Sequence, residues 1–266
     1  MKKRIWALAL ASVFCLTALS GCGEKKSDDL LSKIKAKGSV TVAMEGTWAP
    51  WTYHDESGEL VGFDVEVAKA VADKLGVSVV FEEGEWDGLL AGVESGRYDL
   101  MVNGVGYSEE RAQAYNFAKP YAFNKTALIV RADNDEIKSL DDLNGKTTCN
   151  SANSTYQVVA EAHGAHVLDV ETLDGTLEMV LAGSDRADAT LNAEVSFLDY
   201  MNVHPDAPLK IVAYDDEVEQ VCIIMPKNNT DELRDAINKI IDELRADGTL
   251  AALSKKYFGG DITSEQ

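Results

Sequence analysis

Basic residues are in short supply in this chain: 25 Lys and Arg face 45 Asp and Glu, a net charge of −20 over 266 residues. That balance excludes nucleic acid as a partner and excludes electrostatic adhesion to an anionic membrane. Cysteine is scarce as well, at four residues, with no CxxC pair and no spacing that suits a metal. His163 and His166 form a loose pair that reads as a helix end followed by a loop, so no structural metal is expected. No GxSxG, P-loop, strand-borne GxGxxG or HExxH occurs, which removes the common nucleophilic, nucleotide-binding and metalloprotease classes. No cofactor is expected. A long apolar run is also missing. Ile5 to Ser20 is uncharged and mostly apolar, but a membrane span needs roughly 20 apolar residues.

What that run does have is its context. Lys2, Lys3 and Arg4 precede it, and the small residues of Leu19-Ser20-Gly21 lead into Cys22. A basic start, an apolar stretch and a small-residue cleavage site read as a secretory signal over residues 1–21. The cysteine directly after the cut resembles the lipobox of bacterial lipoproteins. Cys22 would then carry lipid and place the protein outside the cytoplasmic membrane, anchored to the bilayer. Residues 22–29 are polar beyond the cysteine and read as a tether. Cleavage removes Cys15 and leaves Cys149 and Cys222, which are open to two readings: a disulfide, or two buried thiols in apolar strands.

The remainder is 45% hydrophobic overall, enough for one large domain or two modest ones. Strands and helices alternate along it. Ser39 to Met44 is a strand. Asp64 to Leu75 is a helix with Val65, Ala68, Val71, Ala72 and Leu75 on one face, started by Asp64 and ended by Gly76. Val77 to Phe81 is a strand, Asp87 to Glu94 a helix, Leu100 to Val102 a strand. The pattern then recurs, with strands at Thr147–Asn150, Val167–Val170 and Ala189–Leu191 and helices at Thr155–Ala162 and Leu173–Ala182. This order predicts an α/β fold with mostly parallel sheets covered by helices. Two segments match in detail: Trp86-Asp87-Gly88-Leu89-Leu90 runs on to Gly96 and Asp99, and Leu173-Asp174-Gly175-Thr176-Leu177 runs on to Gly183 and Asp188. One copy in each half suggests two lobes of like architecture. The chain closes with a helix from Thr230, its N-cap, to Asp247, and a last helix over Thr249–Phe258. Lys255, Lys256 and Tyr257 there read as favourable cations at a helix C-terminus.

The candidate functional groups suit a small zwitterion. Arg111 follows the strand that ends at Asn103-Gly104, with Ser108 as a cap. A guanidinium fork is the natural partner of a carboxylate. Gly104 and Gly106 leave backbone open to a ligand. Asn153-Ser154-Thr155 sits at a strand-to-helix junction, where free N–H groups attract anions. Trp48, Trp51 and Trp86 offer flat walls. Each has a plainer reading as a surface ion pair with Glu109 or Glu110, a helix cap or a core aromatic. Their placement after strand ends in both halves favours a ligand site, because ligands of open α/β sheets lie outside the carboxyl ends of the strands.

Gly62-Phe63-Asp64-Val65-Glu66-Val67-Ala68-Lys69-Ala70-Val71-Ala72 resembles the signature of the extracellular solute-binding proteins of family 3, the amino-acid receptors of ABC importers. Trp48-Ala49-Pro50-Trp51, Tyr98-Asp99-Leu100, Tyr107-Ser108-Glu109-Glu110-Arg111, Leu244-Arg245-Ala246-Asp247-Gly248-Thr249 and Lys256-Tyr257-Phe258-Gly259 fall where that family has its counterparts. The resemblance implies a two-lobed periplasmic-binding-protein-like fold of type II, its lobes joined by two crossover strands. Lobe I would be residues 30–124 plus 221–260, and lobe II residues 125–220. It implies that Arg111 grips the α-carboxylate, met from lobe II by Thr155 and Ser154. Trp48 would stack on the ligand, with Asn103, Gly104 and Gly106 along the main-chain side and Trp86 and Glu45 near the side-chain pocket. The family places an Asp for the α-ammonium where this chain has Ala193, so Asn192, Glu194 or Glu45 would take over or the ligand is unusual. Where relatives carry Ser or Thr, position 106 is glycine.

The resemblance implies a monomer that binds an amino acid, cystine being favoured, and docks on a membrane permease. A dehydratase-like enzyme with Glu45 or Glu194 as its acid, or a sensor subunit, would be built on the same scaffold.

Overall fold

The computed structural model describes residues 29–265. The signal segment, Cys22 and all but the last residue of the tether lie outside the described residues. Helix α1 (Leu30–Lys37) leads into β1 (Ser39–Met44), followed by the short strands β2 (Thr47–Trp48), β3 (Thr52–His54) and β4 (Leu60–Val61). The first half continues with α2 (Phe63–Leu75), β5 (Ser78–Glu83), α3 (Trp86–Glu94), β6 (Leu100–Met101) and α4 (Arg111–Ala114). A long strand, β7 (Tyr115–Arg131), leads to β8 (Thr147–Asn150), α5 (Thr155–Ala162), β9 (His166–Asp169), α6 (Leu173–Leu181), β10 (Ala189–Ala193) and α7 (Glu194–Val203). A second long strand, β11 (Leu209–Pro226), returns to α8 (Asp231–Ala246) and α9 (Thr249–Phe258).

Among the described residues the main sheet runs β5-β1-β6-β11-β7-β10-β8-β9, and β2, β3 and β4 form a separate small sheet. β1 pairs in parallel with β5 and β6, and β8 in parallel with β9 and β10. Two parallel α/β halves thus flank a central antiparallel pair, β7 and β11, which runs through both. The register of that pair slips between Tyr214 and Val218, so the ribbon that joins the halves is irregular at its middle.

The repeated motif has a physical meaning. In the first half Asp99 Oδ2 accepts from the Thr41 N–H at 2.8 Å, and the Asp99 N–H donates to the Thr41 carbonyl at 3.1 Å. In the second, Asp188 Oδ2 accepts from the Thr147 N–H at 2.9 Å, and the Asp188 N–H donates to the Thr147 carbonyl at 2.7 Å. Each aspartate therefore pins the start of its half's central strand.

The apolar faces expected for α2 and α8 are the buried ones: Val65, Ala68, Val71, Ala72 and Leu75 on the first, Leu233, Ile237, Ile240, Ile241 and Leu244 on the second. Two cap assignments are corrected. Asp64 does not cap α2; Gly62 holds that position at φ 135°, where a side chain would strike the Trp51 carbonyl. Thr230 sits at the start of α8 but makes no side-chain cap bond, because its hydroxyl donates to the Pro226 carbonyl at 2.7 Å. Of the two readings of the cysteines, the structure has the thiols: Cys149 in β8 and Cys222 in β11 are free and buried. Burial pushes both up to about 12.

Candidate functional site

The strands of the two halves point their carboxyl ends at one cleft. Its lining includes Glu45 after β1, Trp48 on β2, Trp86 at the start of α3 and Gly104 after β6 on one side. From the other side come Asn150 at the end of β8, Ser154 and Thr155 at the start of α5, Glu171 after β9 and Asn192 on β10. The cleft encloses roughly 570 Å³.

The wall is built from glycine and tryptophan. Gly104 has φ 59°, and a side chain there would run into the Trp48 ring. Trp48 lies flat against it and stacks on Trp51, ring centres 5.3 Å apart and planes within 15°. Trp51 itself is fully buried against Phe63 and Phe258, so it supports the wall without reaching the ligand space. Asp64 proves to be part of this construction. It is fully buried, and its Oδ2 accepts from the Gly104 N–H at 2.6 Å while Oδ1 accepts from Tyr121 Oη at 2.7 Å. Burial pushes its carboxyl up to about 7, opposed by these two bonds. Sequence reasoning took Asp64 for a cap; its position beside a buried valine was the available sign of another role.

Glu45 is clamped by Asn103, whose Oδ1 accepts from the Glu45 N–H at 2.8 Å and whose Nδ2 donates to Glu45 Oε2 at 2.6 Å. Desolvation pushes the Glu45 carboxyl up to about 7, Asn103 opposes it, and Glu171 across the cleft adds to the rise. Asn103 is fully buried and acts on the cleft through Glu45.

Arg111 lies beside the cleft, in a neighbouring hollow that shares Thr155 with it. Its Nη1 donates to the Gly106 carbonyl at 2.9 Å and its Nη2 to the Asn153 carbonyl of the other half at 2.6 Å. The guanidinium also faces the Trp86 ring at 5.4 Å. Burial lowers its pKa, and the Glu219 carboxylate pulls it back up. Glu219, on β11, is a residue the sequence gave no reason to choose. Its carboxylate accepts from Thr155 Oγ1 at 2.5 Å and from Asn124 Nδ2 at 3.0 Å, and it fills the space beside Gly106. Ser154 caps α5 by accepting from the Gln157 N–H at 3.1 Å.

The groups considered for an ammonium separate. Asn192 reaches the cleft and its Oδ1 accepts from Trp48 Nε1 at 3.3 Å. Glu194 does not line the cleft; it opens α7 and accepts from Tyr214 Oη at 2.6 Å. Ala193 is fully buried.

A model of the bacterial extracellular solute-binding proteins of family 3 matches residues 40–260. The L-cystine-binding protein TcyA of Bacillus subtilis is 37% identical over 273 residues, covering 99% of this chain and all of that protein. The L-cystine solute receptor of Neisseria gonorrhoeae, solved unliganded and open, is 42% identical with a TM-score of 0.60, over 90% of this chain and 100% of that one. An ancestral arginine-binding protein bound to arginine is 35% identical with a TM-score of 0.77, over 84% of this chain and 99% of that one.

Proposed function

The chain belongs to the bacterial extracellular solute-binding proteins of family 3, and from that premise we propose that it captures an amino acid by closing two lobes over it and delivers it to the permease of an ABC importer. The observation that carries this reading is Arg111, whose fork spans the cleft from the Gly106 carbonyl to the Asn153 carbonyl. A ligand carboxylate at that point would exchange two neutral acceptors for a charged one, a stronger bond that also ties the lobes together. Thr155 and Ser154 approach from the far side, and Trp48 and Trp86 sandwich the body of the ligand. The lobe division follows the ribbon: residues 30–124 and 221–260 form one body and 125–220 the other, hinged where β7 and β11 slip register. Closure is supported by a contrast: the likeness is greater to an arginine-bound relative than to an open one of higher identity.

L-Cystine is the favoured ligand, supported by the relatives that are cystine receptors and by a cleft with acids at one end and an arginine at the other. Cys22 is the favoured lipid anchor, supported by its lipobox-like context; labelled fatty acid should enter the wild-type protein and be absent from Cys22→Ala.

The test is calorimetry against the common amino acids and L-cystine, with wild type and Arg111→Ala. Loss of a buried charge-assisted contact should weaken binding by at least ~2 kcal/mol. Equal affinity in the variant would remove the carboxylate grip from the reading. A second reading, a dehydratase-like acid catalyst, has one supporting observation: Glu45 lies in the cleft with a carboxyl near neutrality. Product formation from prephenate or arogenate would favour it.

A further inference from the structure

The second half of the cleft contains acceptors with nothing to accept from. Asn150 is 1% exposed, lines the cleft, and its Oδ1 is unpartnered. The orientation of that oxygen is fixed: its own Nδ2 donates to the Leu191 carbonyl at 2.6 Å, which leaves the oxygen for the cleft. Glu171 Oε2 is likewise enclosed and unpartnered, on a residue that lines the same cleft. An orphaned buried acceptor costs about 1–3 kcal/mol, so two of them side by side in a ligand cleft call for a donor. Glu45 approaches from the first half with one oxygen held by Asn103. The surroundings are acidic: Asp87, Glu85 and Asp169 all act on Glu171. Meanwhile position 193 is a buried alanine and Glu194 is occupied by Tyr214.

We propose that Asn150 Oδ1 and the Glu171 carboxylate, faced across the cleft by Glu45, form the ammonium site of this receptor. It selects ligands that carry a primary ammonium group and rejects acids that lack one. Three acceptors converging on one point match the three N–H donors of an ammonium. The proposal rests on the amino-acid reading above and adds residues to it. Trp48 Nε1 already engages Asn192, so Asn192 acts as a brace for the aromatic wall.

The experiment is calorimetry with L-cystine and with 3,3′-dithiodipropionic acid, the same disulfide diacid without its two amino groups. If another amino acid proves to be the cargo, it is paired with its own des-amino analogue. Wild type should bind the amino acid at least ~10-fold more tightly than the analogue, a single charged bond's worth of discrimination. Glu171→Gln should lose that preference, weakening the amino acid about tenfold while leaving the analogue unchanged. Glu194→Gln should change neither. A crystal structure of the complex provides the second measurement, with the ammonium nitrogen within hydrogen-bonding distance of Asn150 Oδ1. An unchanged preference in Glu171→Gln, or an ammonium bound away from Asn150, overturns the proposal and leaves the amino-acid reading standing. Binding of no amino acid by wild type overturns both.

Discussion

Glu219 fills the space in which a side chain on Gly106 would stand. Its carboxylate is held by Thr155 and Asn124 and lies close enough to Arg111 to raise that residue's pKa. The hydroxyl expected at position 106 from the family resemblance is therefore replaced by a carboxylate from the ribbon, which engages Thr155 and neutralises Arg111 from behind. Gly106→Ala would push Glu219 off both partners. We expect this substitution to weaken ligand binding by about 1–3 kcal/mol, the cost of disturbing a hydrogen-bonded charge. The partner change Glu219→Ala should absorb much of it, so the double variant should be less impaired than the two single effects added together. Strict additivity in calorimetry would show that the two positions act independently.

The second relationship is between the lobes. Trp51 Nε1 donates to Ser196 Oγ at 3.0 Å, and both residues are buried. Asn153 Nδ2 donates to Asp87 Oδ1 at 2.9 Å on the outer side. None of these four bonding groups needs the ligand, and each bond exists only while the halves are together. Ser196→Ala should leave the indole N–H unpaired in the closed form and cost closure about 1 kcal/mol, or roughly fivefold in Kd. Small-angle scattering should show the ligand-free variant more extended than wild type. Unchanged affinity together with an unchanged scattering profile would exclude the bond from the closing equilibrium.

Much of this architecture is legible in the sequence. β1, β8, α5 and α9 fall at their expected bounds, because each joins a clear apolar pattern to a clear stop. The Asp99 and Asp188 motif also has the same role in both halves. The long strands were not legible from residue pattern. β11 carries Asp215, Asp216, Glu217 and Glu219, a run that reads as solvated surface, and Glu219 turned inward cannot be told from its neighbours. α7 begins at Ala193, a residue without a capping side chain, so no start signal marks it. Asp64 misled for the opposite reason: a carboxylate near a helix start is usually a cap, whereas here a fold-wide contact with Gly104 and Tyr121 claims it.

The cysteines allow a direct check of redox independence. Cys149 Sγ donates to the Thr176 carbonyl at 3.3 Å, and both thiols have their pKa raised by burial, which keeps them as unreactive thiols at neutral pH. Native protein should therefore react with a thiol reagent only after denaturation, and the melting temperature should not move on adding a reductant. A drop in melting temperature under reductant would indicate a bridge.

The pH dependence of binding should be governed by Glu45. Desolvation raises its carboxyl from 4.5 to about 7, with Asn103 opposing and Glu171 adding to the rise. For folding, a raised acid favours the neutral form. Its contribution to the stability of the empty protein is full below 4.5 and is lost as the pH rises through about 7; Asp64, raised from 3.8 to about 7 by burial, has the same sign. For binding the sign reverses. A ligand ammonium at the mouth of Asn150 and Glu171 favours ionised Glu45, so binding expels its proton wherever the empty protein holds one. Affinity for an ammonium-bearing ligand should then rise between pH 5 and 7, by at most about tenfold per unit for one linked proton, and level off above. Calorimetry at pH 6.5 in buffers of different ionisation enthalpy should report a fraction of a proton released per ligand. Glu45→Gln should abolish that release and flatten the profile. A wild-type protein that binds its amino acid with no proton release at pH 6.5 would mean that the ammonium is held out of reach of Glu45.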